Sequence, residues 1–239
     1  NLGWTDGDPD GVLVPVKGSI KPVPWDERFL QVLITMRKEQ ENWGVIEDPS
    51  DVDPRNILKK VMAQFQSLGL KPVVAFELEF YLLDKNRDEN GKPVPAGGAN
   101  KTHVYGIPDL DLFGRLFDDI NKNCTMQNIP ATTASSEFAA GQYEINLKHT
   151  DDLLKAADDA AMLRRIIKET SERHGYEATF MAKPFLEETG NGMHLHLSVY
   201  DDNEKNIFAT SSRYGNKKLH HAIAGFQSTF YDSFPIFIP

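Results

Sequence analysis

Apolar residues recur at two different periods along this chain, and the switches between the periods mark its elements. At residue 53, Asp followed by Pro supplies a cap and a first helical position. Ile57, Leu58, Val61, Met62, Phe65 and Leu68 then recur at helical spacing until Gly69. The same period predicts helices over 109–127, 151–174 and 216–230. In the second of these, Leu153, Leu154, Ala157, Ala161, Leu163 and Ile167 form the apolar face and Gly175 marks the stop. Elsewhere the period drops to two, which predicts strands at 29–38, 72–84, 131–138, 142–148, 176–183 and 193–200. The charges, Gly and Pro of 85–101 predict an exposed loop. Several strands follow one another without an intervening helix, so an α+β fold with an antiparallel or mixed sheet is favoured over a doubly wound parallel one. Residues 1–50, rich in Pro and Gly, read as part of a small β domain and linker, with a larger domain over 51–239.

Three of these strands share a division of labour between their faces. In 73–82, Val74, Phe76, Leu78, Phe80 and Leu82 fall on one face and Ala75, Glu77, Glu79 and Tyr81 on the other. Two unpaired carboxylates about 7 Å apart raise each other's pKa, so the pair calls for cations or a solvated cleft. In 193–200, His194, His196, Ser198 and Tyr200 oppose Met193, Leu195, Leu197 and Val199, and a Gly-containing acidic loop, 187–192, precedes them. In 142–148, Gln142, Glu144, Asn146 and Lys148 oppose Tyr143, Ile145 and Leu147, with Glu137 just before the turn. Each segment alone is compatible with an ordinary solvated sheet face, and the two histidines alone with a structural role or a zinc site. Together, carboxylates in excess over imidazoles and no nearby cysteine favour a hard or borderline divalent cation, Mg²⁺ or Mn²⁺, in one polar cavity.

Composition narrows the setting. The 239 residues are 40% hydrophobic and 26% charged, which is enough for a buried core. A net charge of -9 argues against a surface built on nucleic-acid phosphates, and no run is apolar enough to span a membrane. The single cysteine, Cys124, has no disulfide partner; it reads as a small buried hydrophobe, and a reducing cytoplasm fits. The opening at Asn1 and the stop at Pro239 both look cut.

These segments resemble the motifs of the glutamine synthetase family. The motifs are a Glu-x-Glu strand, a Glu followed after a short turn by Gly-Gln-x-Glu, and Gly-x-Gly-Met-His-x-His-x-Ser. They stand here at Glu77–Glu79, at Glu137 with 141–144, and at 190–198, in the family's order. The resemblance implies a curved, mainly antiparallel catalytic sheet flanked by helices, preceded by the end of a β-grasp domain whose closing strand is 10–15. It implies that Glu79, Glu137 and Glu144 hold a metal beside the substrate glutamate, and that Glu77 and His194 hold one bridging the ATP phosphates. His196 and Ser198 would lie by the nucleotide, and Gly190 would offer its backbone to glutamate. Two or three ions per site and ATP as co-substrate follow.

The family's flap Glu, substrate arginines and last metal Glu are expected downstream, leaving no general catalytic residue within this chain. The implied assembly is a homo-oligomer, a dodecamer of two stacked hexameric rings with active sites between subunits. The implied reaction joins the γ-carboxylate of glutamate to ammonia or an amine through a γ-glutamyl phosphate. Ser135-Ser136 before Glu137, where ammonia-using members commonly carry His, and the run 137–147 look more like the γ-glutamylpolyamine and monoamine branch. Thr189 stands where glutamine-forming members commonly have Asn. Glutamine synthetase proper and a non-catalytic scaffold with this fold are the alternatives. A phosphagen kinase-like enzyme would need guanidino-substrate residues, and no Cys is placed to serve it.

Overall fold

The computed structural model describes residues 12–37, 53–97 and 104–237, and its contacts divide the chain into two compact units, Asn1–Leu68 and Gly69–Pro239. The first unit holds four short strands, β1 (Val12–Pro15), β2 (Lys21–Val23), β3 (Asp26–Gln31) and β4 (Ile34–Arg37), and the helix α1 (Pro54–Ser67). The single strand expected over 29–38 is two strands. β3 pairs with β2 and β4 with β1, so the chain changes partner at Val32 and Leu33. Leu33 donates its N–H to Ser19 Oγ and accepts from Val16 N, which turns the backbone between the two ladders. Lys38, the Asp10-Gly11 start of the expected closing strand and residues 39–50 lie outside the described residues.

Asp53 caps α1 as expected, accepting from Arg55 N at 2.8 Å, and it does more than cap. Its Oδ2 accepts from the Thr35 hydroxyl and from Met36 N, both at 2.6 Å, while the buried Asn56 donates to Met36 O. Burial pushes the Asp53 carboxyl up, but these donors outweigh it and hold the group below the usual carboxylate range. The same bonds fasten α1 to β4. By its contacts, the first compact unit includes α1.

The second unit is built on one sheet. Its elements are β5 (Leu70–Arg87), β6 (Pro93–Pro95), α2 (Ile107–Leu112), α3 (Gly114–Met126), β7 (Ala131–Ser136), β8 (Gln142–Leu147), α4 (Leu153–Arg173), β9 (Tyr176–Thr179), β10 (Met193–Asp201) and α5 (Lys217–Phe237). The sheet order is β10-β5-β8-β7, with β6 and β9 also pairing with β5, and every pairing is antiparallel. This is the α+β, curved antiparallel arrangement flanked by helices. The alternating residues of β5 account for it: Val74, Leu78, Phe80 and Leu82 are buried, as are Tyr143, Ile145 and Leu147 on β8. α4 lies against β5 and β9. It buries Leu153, Ala156, Ala160, Leu163, Ile166 and Ile167, while Leu154 and Ala157 are half-buried and Ala161 is exposed. The apolar stripe is thus rotated from the one expected, because α4 also packs on α3.

Other departures have local causes. The expected loop 85–101 carries a hairpin: Asp88 Oδ1 accepts from Asn90 N and Lys92 N, and Asp88 N donates to Lys92 O, so β5 runs on to Arg87 and returns as β6. Residues 98–101 of that loop lie outside the described residues. The helix expected over 109–127 is two helices, breaking at Phe113, whose ring packs edge-on against Tyr143 and Tyr176. β9 stops at Thr179, short of 183, because Asn191 captures the Thr179 and Met181 carbonyls with its side chain and the Ala182 carbonyl with its N–H. α5, capped by Asn216 through Leu219 N, continues beyond Phe230 to Phe237. β10 is an edge strand among the described residues, and of its apolar face Val199 is buried while Met193 and Leu195 are exposed. Cys124 is buried on α3, and burial pushes its thiol up to about 12, as expected of an inert thiol. No helix among the described residues is long and apolar enough to cross a membrane.

Candidate functional site

The register of the three central strands brings their polar residues together. Glu77 on β5 stands opposite His194 on β10 and Asn146 on β8, and Glu79 stands opposite Glu144. Antiparallel partners point to the same side of a sheet, so Glu77, Glu79, Glu144, Asn146, His194 and His196 share one face. One ligand atom each from Glu77, Glu144 and His194 lies within 4.8 Å of the others. Glu144, grouped with Glu79 and Glu137 in the sequence reading, therefore reaches the Glu77 and His194 pair as well.

Glu77 is clasped by both histidines. His194 Nδ1 is 3.1 Å from its Oε2 and His196 Nε2 is 2.9 Å from its Oε1. Burial raises the Glu77 carboxyl, but the bonds from His196 and His194 outweigh it and hold the group below the usual carboxylate range. His196, expected beside a nucleotide, is here a partner of Glu77. Ser198 lies further along β10, opposite Val73.

Glu137, just after β7, donates its N–H to Gln142 O. Its carboxyl is pushed up by burial and then by the charges of Glu144 and Glu79. The Glu144 carboxyl is likewise pushed up by burial and then by Glu77 and Glu79. Asn146 hydrogen-bonds Glu144, and its own buried Oδ1 takes no hydrogen bond among the described residues. Half-buried carboxylates in mutual repulsion, one imidazole and an unsatisfied amide oxygen form a donor set that a hard divalent cation suits.

The Gly-containing acidic loop before β10 is fastened. Tyr81 donates its hydroxyl to Thr189 O at 2.7 Å, Thr189 Oγ1 donates to Gln142 Oε1 at 2.7 Å, and Gly192 N donates to Glu79 Oε2 at 3.0 Å. Gly190 has a structural reason to be Gly: a Cβ there would come 2.5 Å from the Ala182 carbonyl oxygen. At Gly192 a Cβ would come 2.9 Å from Glu79 Oε1. Gln142, Thr189, Asn191 and Gly192 were not singled out as site residues from sequence. For Gln142 the signal was present, since it shares the period-two face of Glu144.

Comparison with known proteins agrees with this geometry. Residues 51–239 match the family described as glutamine synthetase, catalytic domain. Gamma-glutamylputrescine synthetase PuuA of Escherichia coli (strain K12) is 41% identical over 231 residues, covering 94% of this chain and 48% of that protein. Glutamate--isopropylamine ligase of a Pseudomonas species is 33% identical, covering 99% of this chain and 51% of that protein. A solved structure described as a GmaS/ADP complex superimposes with a TM-score of 0.77 at 26% identity, covering 94% of this chain and 50% of that one. The chain spans about half the length of the curated relatives it matches. Over the residues that form this polar face the chain belongs to the glutamine synthetase family.

Proposed function

We propose that the protein of which this chain is a part is an ATP-dependent ligase joining the γ-carboxylate of glutamate to an amine, with an organic amine as acceptor. The observation that carries this reading is the convergence of Glu77, Glu144 and His194 within 4.8 Å on one sheet face, with Glu79 and Glu137 beside them. In the proposed site these residues hold Mg²⁺ or Mn²⁺, two or three ions in all. Bound ions supply positive charge that offsets the charge on the transferring phosphoryl group.

The chain's own residues bind and orient. Glu79 and Glu137 face the glutamate side, Gly190 offers backbone to it, and His196 and Ser198 lie toward the nucleotide. The γ-carboxylate attacks the γ-phosphate of ATP to give γ-glutamyl phosphate and ADP, and the amine then displaces phosphate. Holding both reactants in one geometry supplies much of the rate. The organic-amine preference is supported by the identity to the putrescine and isopropylamine ligases and by Ser135-Ser136 before Glu137. A cytoplasmic homo-oligomer of two stacked hexameric rings, with sites between subunits, belongs to the same proposal.

The test incubates the full-length protein with glutamate and Mg-ATP and adds ammonia, putrescine or isopropylamine in turn. Phosphate release with an organic amine well above that with ammonia is expected. Release with ammonia alone would make the protein a glutamine synthetase proper. No release with any acceptor, and no Mn²⁺ binding, would leave a scaffold with this fold.

A further inference from the structure

Gln142 is only 2% exposed, yet every polar atom of its side chain is engaged. Its Nε2 lies 3.1 Å from Glu79 Oε2, 2.9 Å from Gly190 O and 3.3 Å from Asn191 Oδ1. Its Oε1 accepts from Ala139 N at 3.2 Å and from Thr189 Oγ1 at 2.7 Å. The orientation of this amide is fixed by backbone groups of unambiguous character: a flip would set an NH₂ against the Ala139 N–H and an oxygen against the Gly190 carbonyl.

The backbone already ties the end of the loop to β5, since Glu79 N donates to Gly192 O at 3.1 Å, and the side-chain network extends that tie to the Glu79 carboxylate. Glu79 Oε2 takes bonds from Gln142 and from Gly192 N, and Gly192 belongs to the loop that Gln142 itself holds through Thr189 and Gly190. If the loop leaves, Glu79 loses one donor directly and the anchorage of the other. The carboxylate and the loop thus occupy their places together.

We propose that Gln142 is a positioning residue, a latch that ties the seating of the 189–192 loop to the orientation of the Glu79 carboxylate. Resting on the reading of this face as a cation site, the latch makes cation affinity depend on Thr189, a residue that contributes no cation ligand. It couples the backbone offered at Gly190 to the carboxylate offered at Glu79, so occupancy on one side organises the other.

The test uses the full-length protein and Mn²⁺ alone, with the dissociation constant measured by electron paramagnetic resonance and amide hydrogen exchange followed over 189–192. Thr189→Val keeps the shape and removes the donor to Gln142; it is expected to weaken Mn²⁺ binding about 5-fold, the size of one lost hydrogen bond, and to speed exchange in the loop. Thr189→Ser restores the hydroxyl and both readouts. Gln142→Leu is expected to weaken binding on the order of 10–100-fold, as loss of an outer-shell partner does. Where Gln142→Leu fails to fold, the two Thr189 variants decide. Wild-type Mn²⁺ affinity in Thr189→Val, alongside lost affinity in Glu79→Ala, would overturn the latch and leave the cation site standing. Faster exchange in Thr189→Val without a change in affinity would overturn it too. No Mn²⁺ binding by the wild type would overturn both.

Discussion

Glu77 and Glu79 sit two residues apart on one strand and point the same way, yet they are held by different chemistry. Glu79 takes two N–H donors, one from a buried amide and one from the backbone of Gly192, and these donors carry their protons at any ordinary pH. Glu77 is held by two imidazoles, His194 and His196, that are 59% and 64% exposed. Such exposed partners are freer to rotate or to turn to another ligand. One strand therefore presents a fixed carboxylate beside an exchangeable one. The fixed group suits a permanent contact, and the exchangeable one suits a ligand that arrives with its own charge.

The largest effect expected is on the exchangeable side. Glu77→Ala or Glu144→Ala removes one corner of the three-residue cluster, and the Mn²⁺ dissociation constant should rise by more than the 10–100-fold typical of losing an outer-shell partner. Wild-type affinity in either variant would break the comparison at its root. Stability should show the reverse order. Glu79→Leu leaves the Gly192 N–H without its acceptor, while Gln142 Nε2 keeps Gly190 O and Asn191 Oδ1; a loss of about 1–3 kcal/mol, readable from the urea midpoint, is expected. Glu79→Gln keeps an acceptor in place and should stay within about 1 kcal/mol of wild type. Glu77→Gln should also change stability by less than about 1 kcal/mol, because its partners are mostly solvated. Equal losses for Glu79→Leu and Glu77→Gln would erase the distinction.

A carboxylate of the fixed kind also occurs in the first unit, where Asp53 is held by the Thr35 hydroxyl and the N–H groups of Met36 and Arg55. Its pKa lies below the usual value, so its stabilising contribution is fully present above about pH 3.9 and is lost as pH falls through the depressed folded value. Asp53→Asn should flatten that acid limb in urea titrations at fixed temperature. This is the smallest effect in the series, and an unchanged acid limb would show that the donors do not discriminate the charged form.

The parts of this organisation that were legible in sequence are those written in a single strand. Glu77 and Glu79 against Leu78 and Phe80, Glu144 against Tyr143 and Ile145, and His194 and His196 against Leu195 and Val199 follow from a two-residue period, and the register then aligns them. What escaped depends on residues remote in sequence. Gln142 looks like one polar residue on a mixed face until its partners at 189–191 arrive, and its burial comes from them. At Gly190, expected to offer its backbone to a ligand, the packing demand for Gly from the Ala182 carbonyl was not visible in sequence. The stripe of α4 was misplaced because two neighbours, the sheet and α3, decide which residues are covered. Asp88 was read as part of an exposed loop, although its side chain closes a hairpin that extends β5.

β5 pairs with four other strands, with Glu77 and Glu79 on one side and the buried Leu78, Phe80 and Leu82 on the other. Inserting or deleting one residue within it would send Phe80 to the solvent and Glu79 to the interior in a single stroke. Length variation is therefore barred from this segment and falls to the connecting segments outside the ladder.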